Sequence, residues 1–325
     1  MSVAVNTMTS VLQHTYGDDP EAVLGVGSAP IPTPGPGEVL VQVGASSVDR
    51  GTWHLMAGVP TVARLALGLR RPTRLNPGLN VAGTVAALGD GVTGFAVGDA
   101  VFGTAPSAFA EYAVAKVTRL AAAPAGLDVS AVATIPVSGL TALQAVRDRA
   151  RMQPGQRVLV IGAAGGVGSF TVQVAKAAGA EVTGVCRAAR AGFVRSLGAD
   201  HVDEDLPTGP FDAIIQTARH RPLRELRGVL AECGTLVLVG SETSGRLLGG
   251  LDKAFGAHLA SMFSRQRLGT FVSGENAADL DELRRMVEAG QVRPAVDTVY
   301  PLAEVAAAVR HLQNGGVRGK IAVTI

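Results

Sequence analysis

Residues 157 to 168 read Arg-Val-Leu-Val-Ile-Gly-Ala-Ala-Gly-Gly-Val-Gly and run directly into the helix-like stretch Ser169 to Ala178. An apolar strand that ends in clustered glycines and opens a helix is how a dinucleotide-binding βαβ unit begins. Glycine lets the chain turn sharply, approach a pyrophosphate closely and pack its helix against the strand. The free N–H groups and positive dipole end of that helix then face the phosphates. Alignment of Gly165 and Gly168 with the last two glycines of GxGxxG leaves Ala163 at the first position, with Gly162 just before it, so the motif is a variant. Gly162, Ala164, Gly165, Gly166 and Val167 are the expected phosphate-facing backbone. The bland alternative is a tight strand-to-helix turn that binds nothing.

The second strand, Glu181 to Cys186, arrives after one βαβ interval, and strand-like segments follow at Phe211 to Thr217 and Thr235 to Gly240. An acid at the end of the second strand would accept hydrogen bonds from the ribose hydroxyls of NAD, and none is there. Arg187 and Arg190 follow instead, and guanidiniums so placed would pair with the 2′-phosphate of NADP, which makes NADP(H) the expected cofactor. Solvated surface charges are the alternative reading of both arginines.

These residues need elements to hold them, and 325 residues is long for a single core, so two domains are expected. With 47% hydrophobic and 17% charged residues, the chain can bury a parallel sheet on both faces. No apolar run is long enough for a membrane helix, and no basic region with an apolar core opens the chain, so the expected address is the cytoplasm, with no membrane partner. A net charge of +2 that is not gathered into a tract implies no nucleic-acid partner. The two cysteines, Cys186 and Cys233, exclude a disulfide framework and a cysteine-rich zinc site, and both are expected as small core residues.

Short β-like runs between turn clusters dominate the first part: Val39 to Val43, Val81 to Leu88, Asp99 to Phe102 and Phe109 to Val114. Helical periodicity fills Ala131 to Ala150, and the βαβ pattern begins at Arg157. After Pro294 come a helix-like segment, Leu302 to Gln313, and a final strand, Lys320 to Ile325. A β-rich part, a βαβ part and a short β tail suggest an outer domain, 1–130, completed by 297–325, around an inner domain, 131–296.

The ordered motifs Pro34-Gly35-Pro36-Gly37-Glu38-Val39, Pro77-Gly78-Leu79-Asn80-Val81-Ala82-Gly83, Gly98-Asp99-Ala100-Val101-Phe102-Gly103, Phe109-Ala110-Glu111-Tyr112, Gly139-Leu140-Thr141, Gly162 to Gly168, Leu197-Gly198-Ala199-Asp200 and Gly319-Lys320 cover nearly the whole chain. On these residues the chain resembles the medium-chain dehydrogenase/reductase superfamily of alcohol dehydrogenases and quinone oxidoreductases. The resemblance implies an α/β protein with a GroES-like β-rich catalytic domain and a Rossmann domain whose parallel sheet is doubly wound. It places substrate between them, Thr141, Gly240, Phe271 and Lys320 near the cofactor, and two chains in a homodimer.

Zinc-dependent relatives carry a Cys where this chain has Asp49, and Gly-His-Glu where it has Gly78-Leu79-Asn80. Leu79 cannot bind a metal, and the four-cysteine structural loop is missing, so no metal is expected and the resemblance narrows to the zinc-independent quinone oxidoreductase branch. Without a Lewis acid, hydride transfer from NADPH to a quinone, an enone or an enoyl group is the reasonable chemistry. By resemblance the loop Asp49 to His54 lines the cleft, although relatives often have Asn at Asp49 and Asp at Thr52. Asp49 or Thr52 could orient or protonate substrate, or serve only as turn and helix-cap groups, and His54 could donate a proton. Trp53 could wall an aromatic pocket or simply pack.

Thr61 to Leu75 mixes apolar residues with Arg64, Arg70, Arg71 and Arg74, which suits a mobile segment over the cleft that attracts an acidic group, or a solvated basic face. Ser241 to Arg267, with Gly245, Gly249, Gly250 and Gly256, reads as an insertion that caps the pocket or joins subunits. A quinone or enone reductase leads. An enoyl-thioester reductase of a biosynthetic pathway and a non-catalytic NADPH-binding protein are the other readings, since fold and cofactor do not establish turnover.

Overall fold

The computed structural model describes residues 6–218, 221–240 and 265–325. Most of the segment expected as an insertion between Ser241 and Arg267 lies outside the described residues. Two compact units divide the chain, one of Met1–Val137, Glu275–Glu288 and Val296–Ile325, the other of Ser138–Gly274 and Ala289–Ala295.

In the first unit β1 (Thr7–Leu12) pairs antiparallel with β2 (Gly25–Pro30). The long β3 (Glu38–Val48) pairs antiparallel with β4 (Asn80–Leu88), which continues to β5 (Ala100–Thr104). Strand β6 (Tyr112–Lys116) lies on the first half of β3, and β7 (Leu120–Ala122) on β5. Val39, Val41 and Val43 on β3 meet Val81, Val85 and Val101 in one core, as period-2 alternation requires. Two register shifts in the β3–β4 ladder bend the long strand.

The second unit is a parallel sheet of β8 (Arg157–Ile161), β9 (Glu181–Val185), β10 (His201–Asp203), β11 (Phe211–Gln216), β12 (Leu230–Val239) and β13 (Arg267–Phe271). Its spatial order is β10-β9-β8-β11-β12-β13, with every pair parallel. The order reverses between β8 and β11, so this is the doubly wound arrangement, with its switch point beside the glycine turn. Nearly continuous burial along β8 and β9, in place of alternation, follows from cover on both faces. Finally β14 (Val296–Pro301) and β15 (Lys320–Thr324) return to the first unit, where β15 lies antiparallel to the far half of β3.

Three expectations change. The stretch after Asp49 is a helix, Arg50–Ala57, because Asp49 caps its start through the Thr52 N–H and Gly58, at φ 63°, ends it with its N–H on the His54 carbonyl. The helix Ala277–Glu288, expected within the inner domain, lies in the first unit, which also runs on to Val137. It packs on β7, its Glu288 accepts the Ala125 N–H at 3.4 Å, and Glu275 pairs with Arg119 at 2.7 Å. Cys233 is exposed and Cys186 half-buried, so neither is a core residue. The reason at Cys233 is register: Phe211 faces Leu230 but Ala213 faces Thr235, so the extra residues of β12 bulge away from the ladder.

Candidate active site

In the second unit the strand β8 hands over to its helix through a turn that only glycine permits at two points. Gly162 sits at φ 85°, where a Cβ would also lie 2.7 Å from that of Ala218. A Cβ on Gly168 would drive into the Gly162 carbonyl, so helix and strand touch backbone to backbone there. At Gly165 the space beyond the backbone is open except for the Gly162 oxygen at 3.4 Å. Gly165 begins the helix Gly166–Ala177 with no side-chain cap, and Ala164 is buried beneath the turn. The N–H groups of Gly166 and Val167 have no acceptor among the described residues, as the first groups of an uncapped helix must. An anion of phosphate size suits this donor set.

The other expected nucleotide residues gather at the carboxyl ends of the same strands. Arg187 precedes and Arg190 ends the 3-10 turn Ala188–Arg190 that follows β9; Arg187 is exposed, Arg190 half-buried, and neither guanidinium has an ion pair or hydrogen bond among the described residues. Between them and the strand, burial pushes the Cys186 thiol up, against the pull of Arg190 and Arg195. Gly240, at φ 73° after β12, donates its N–H to the Phe271 carbonyl of β13 at 3.2 Å. Thr141 shares a hydroxyl hydrogen bond with Ser273 at 2.9 Å, and Arg149 stacks 5.0 Å above the Phe271 ring.

Two residues that the sequence did not single out complete this rim. Thr217, directly after β11, donates its hydroxyl to the Ile161 carbonyl at 3.0 Å and so braces the Gly162 turn. Gln144 grips Gly274 by both its N–H and its carbonyl. Thr217 was legible in principle, because β11 is the strand that follows the switch point; Gln144 carried no comparable sign.

In the first unit the expected catalytic residues surround one carboxylate. Asp49 Oδ1 accepts the Thr52 N–H at 3.2 Å, and Oδ2 accepts the Asn80 amide at 2.9 Å. Asp49 Oδ2 also lies 3.6 Å from Nζ of Lys320, which donates to the Val48 carbonyl at 3.2 Å. Lys320 is only 2% exposed, so the ammonium expected near the cofactor is held inside the β-rich unit. Burial pushes its pKa down, and Asp49 opposes that shift. Asn80, fully buried at the start of β4, also accepts the Val137 N–H at 3.0 Å and the Ser46 hydroxyl, through its backbone carbonyl, at 2.6 Å. In the sequence Asn80 stands out only where a zinc ligand is missing, with no sign that it is the centre of this network.

Thr52 is fully buried, yet its hydroxyl has no partner among the described residues, and the same holds for the indole N–H of Trp53. His54 Nδ1 donates to the Val59 carbonyl at 3.1 Å, which fixes the tautomer and leaves Nε2 as an acceptor. Burial pushes the His54 pKa below its ordinary value. Trp53 meets His54 edge to face at 4.9 Å. Among the described residues no group of three His, Cys, Asp or Glu gathers as a metal site, and no helix is long and apolar enough to cross a membrane.

Comparison with known proteins agrees with this architecture. The alcohol dehydrogenase GroES-like domain family matches residues 35–125, and a family described as zinc-binding dehydrogenase matches residues 195–323. A chloroplast envelope quinone oxidoreductase homolog of Arabidopsis thaliana is 29% identical over 99% of both chains. A trans-enoyl reductase, pgmF, of Aspergillus terreus is 30% identical over 90% of this chain and 87% of its own length. The solved quinone oxidoreductase of Coxiella burnetii superposes with a TM-score of 0.85 at 26% identity, covering 98% of this chain and 100% of that one. The chain therefore belongs to the medium-chain dehydrogenase/reductase superfamily and is an oxidoreductase of its quinone oxidoreductase-like group, a family that works with nicotinamide cofactors.

Proposed function

We propose that the protein is an NADPH-dependent reductase that transfers hydride to a quinone or an activated C=C acceptor without zinc. The observation that carries the reading is the closed Asp49–Asn80–Lys320 network. Where a zinc-dependent relative would offer a thiolate and an imidazole, this chain presents a carboxylate already engaged by an amide and a buried ammonium, beside the apolar Leu79. A second positive charge placed there would meet Lys320, which argues against a metal on electrostatic grounds.

Bound NADPH would supply the hydride, and the protein's own part is to hold and polarise. The N–H groups of Gly166 and Val167 suit the pyrophosphate, and the unpaired guanidiniums of Arg187 and Arg190 suit a 2′-phosphate. In the first unit the buried Thr52 hydroxyl, unpartnered among the described residues, would serve as donor to an oxygen that gains charge during reduction once substrate displaces what covers it, with Asp49 fixing its backbone. His54 is the weaker candidate, since its lowered pKa favours the neutral ring and its bound N–H faces Val59.

Fluorescence titration with NADPH and NADH tests the cofactor. The expected result is a preference for NADPH that falls about tenfold in Arg187→Ala, the loss of roughly one charge-assisted hydrogen bond. NADPH oxidation is then followed with quinones, enones and enoyl thioesters in the presence of a chelator. Activity that survives metal removal supports the zinc-free reading, and stoichiometric bound zinc overturns it. The 30% identity to a trans-enoyl reductase makes the enoyl thioester the second acceptor to score, and silence across the whole panel favours a non-catalytic NADPH-binding role. Light scattering at twice the chain mass checks the proposed homodimer.

A further inference from the structure

Between Arg50 and Gly89 the chain has five arginines and no lysine, aspartate or glutamate. Within that stretch the segment from Thr61 to Leu75 exposes three of its four leucines, Leu67 being half-buried. Leu65 is 74% and Leu69 68% accessible, and Val62 and Leu75 are exposed as well. Arg70, Arg71 and Arg74 are exposed beside them and have no ion pair or hydrogen bond among the described residues.

This exposure is not looseness. The 3-10 turn Thr61–Ala63 and the helical turn Arg64–Leu67 are tied down from beneath. Arg64 donates to the Gly58 carbonyl at 2.8 Å and the Ala57 carbonyl at 3.1 Å, with its guanidinium 4.4 Å above the Tyr16 ring. The Tyr16 hydroxyl lies 2.9 Å from the Leu67 carbonyl and 3.0 Å from that of Gly68. Leu67, Pro72 and Arg74 also border a small cavity that reaches Leu55 and Leu79.

We propose that this Leu65–Leu69 and Arg70–Arg71–Arg74 surface docks the protein onto an anionic lipid bilayer. Charge complementarity and side-chain type select that occupant. Lipid phosphates would neutralise the free arginines while the outward leucines enter the headgroup boundary, the arrangement of interfacial anchors. A soluble phosphate or an acidic protein would meet the arginines but leave the leucines in water. Sequence reading expected no membrane partner on the ground that no segment spans, and surface docking needs none. The inference goes beyond the proposed catalysis and does not rest on it, because binding is measured without turnover.

The test is flotation of the full-length protein with vesicles of phosphatidylcholine alone and with vesicles in which about one lipid in three is phosphatidylglycerol. Binding is expected only to the anionic vesicles, weakening as salt is raised. Arg70→Ala with Arg71→Ala should lower it by roughly 25-fold, at about fivefold per arginine near a charged surface. Leu65→Ser with Leu69→Ser should lower it at least tenfold through lost apolar insertion. Unchanged thermal melting shows that these exposed substitutions leave the fold intact. Equal binding to both vesicle types, binding to neither, or anionic binding that both variants retain overturns the proposal. Salt-sensitive capture by an acidic carrier protein, with no vesicle binding, would reassign the surface and equally overturn it.

Discussion

Asp49 engages the Thr52 N–H, the Asn80 amide and the Lys320 ammonium, whereas the N–H groups of Gly166 and Val167 and the guanidiniums of Arg187 and Arg190 find no partner among the described residues. Both regions hold the residues expected to do chemistry, and they have opposite thermodynamic characters. A buried polar network must be satisfied internally, so its members stabilise the fold and hold one another in place. An open donor set contributes little to folding and keeps its hydrogen bonds for something that arrives later. Perturbation of the first region should therefore appear mainly in stability, and perturbation of the second mainly in binding.

The largest effect is expected at Lys320. Lys320→Met removes the cation and leaves the Asp49 carboxylate buried beside an apolar chain, which should cost about 3–5 kcal/mol in urea unfolding. Adding Asp49→Asn should recover part of that loss, because the stranded charge is gone, and strictly additive losses would show that the two groups do not act as a pair. Gly168→Ala comes next, at about 1–3 kcal/mol, since its Cβ would push on the Gly162 carbonyl. It breaks the simple contrast in a useful way, because the same displaced turn should also weaken NADPH binding. A variant with native affinity would show that the turn shifts without disturbing its donors.

Arg187→Ala sits at the other extreme. Its side chain is exposed and unpaired, so unfolding should change by less than about 0.5 kcal/mol while the fall in NADPH affinity is read by titration. Unequal visibility in the sequence follows the same division. The glycine turn and its arginines were legible because they depend on local backbone geometry within one strand–helix–strand unit. The Lys320–Asp49 pair was not. It exists because β15 runs antiparallel to β3 with Ile321 opposite Val48, and no local pattern records that register. The helix Ala277–Glu288 was hidden for a related reason: amphipathicity marks a buried face but not which sheet covers it. At Arg50–Ala57 the helix-cap alternative for Asp49 is the one the structure bears out, while the helix itself, closed by Gly58, replaces the expected loop although Asp49 and Gly58 carry ordinary start and stop signals.

His54 gives the smallest and most discriminating measurement, because it belongs to the closed region yet is only half-buried. Burial disfavours its imidazolium, and Arg50 adds to that effect, while the Val59 carbonyl and Asp49 oppose it. The folded-state pKa therefore lies below the ordinary value of 6.5. Between the two values the unfolded chain binds more protons than the folded one, so stability rises with pH across that window. The contribution is complete above about 6.5 and is lost as pH falls through the folded pKa. In urea unfolding across this range the wild-type protein should lose less than about 1 kcal/mol towards acid, and that loss should be missing in His54→Gln. Equal slopes would mean that water reaches the ring freely, and the sharp division between a closed network and an open donor set would then stop at Thr52.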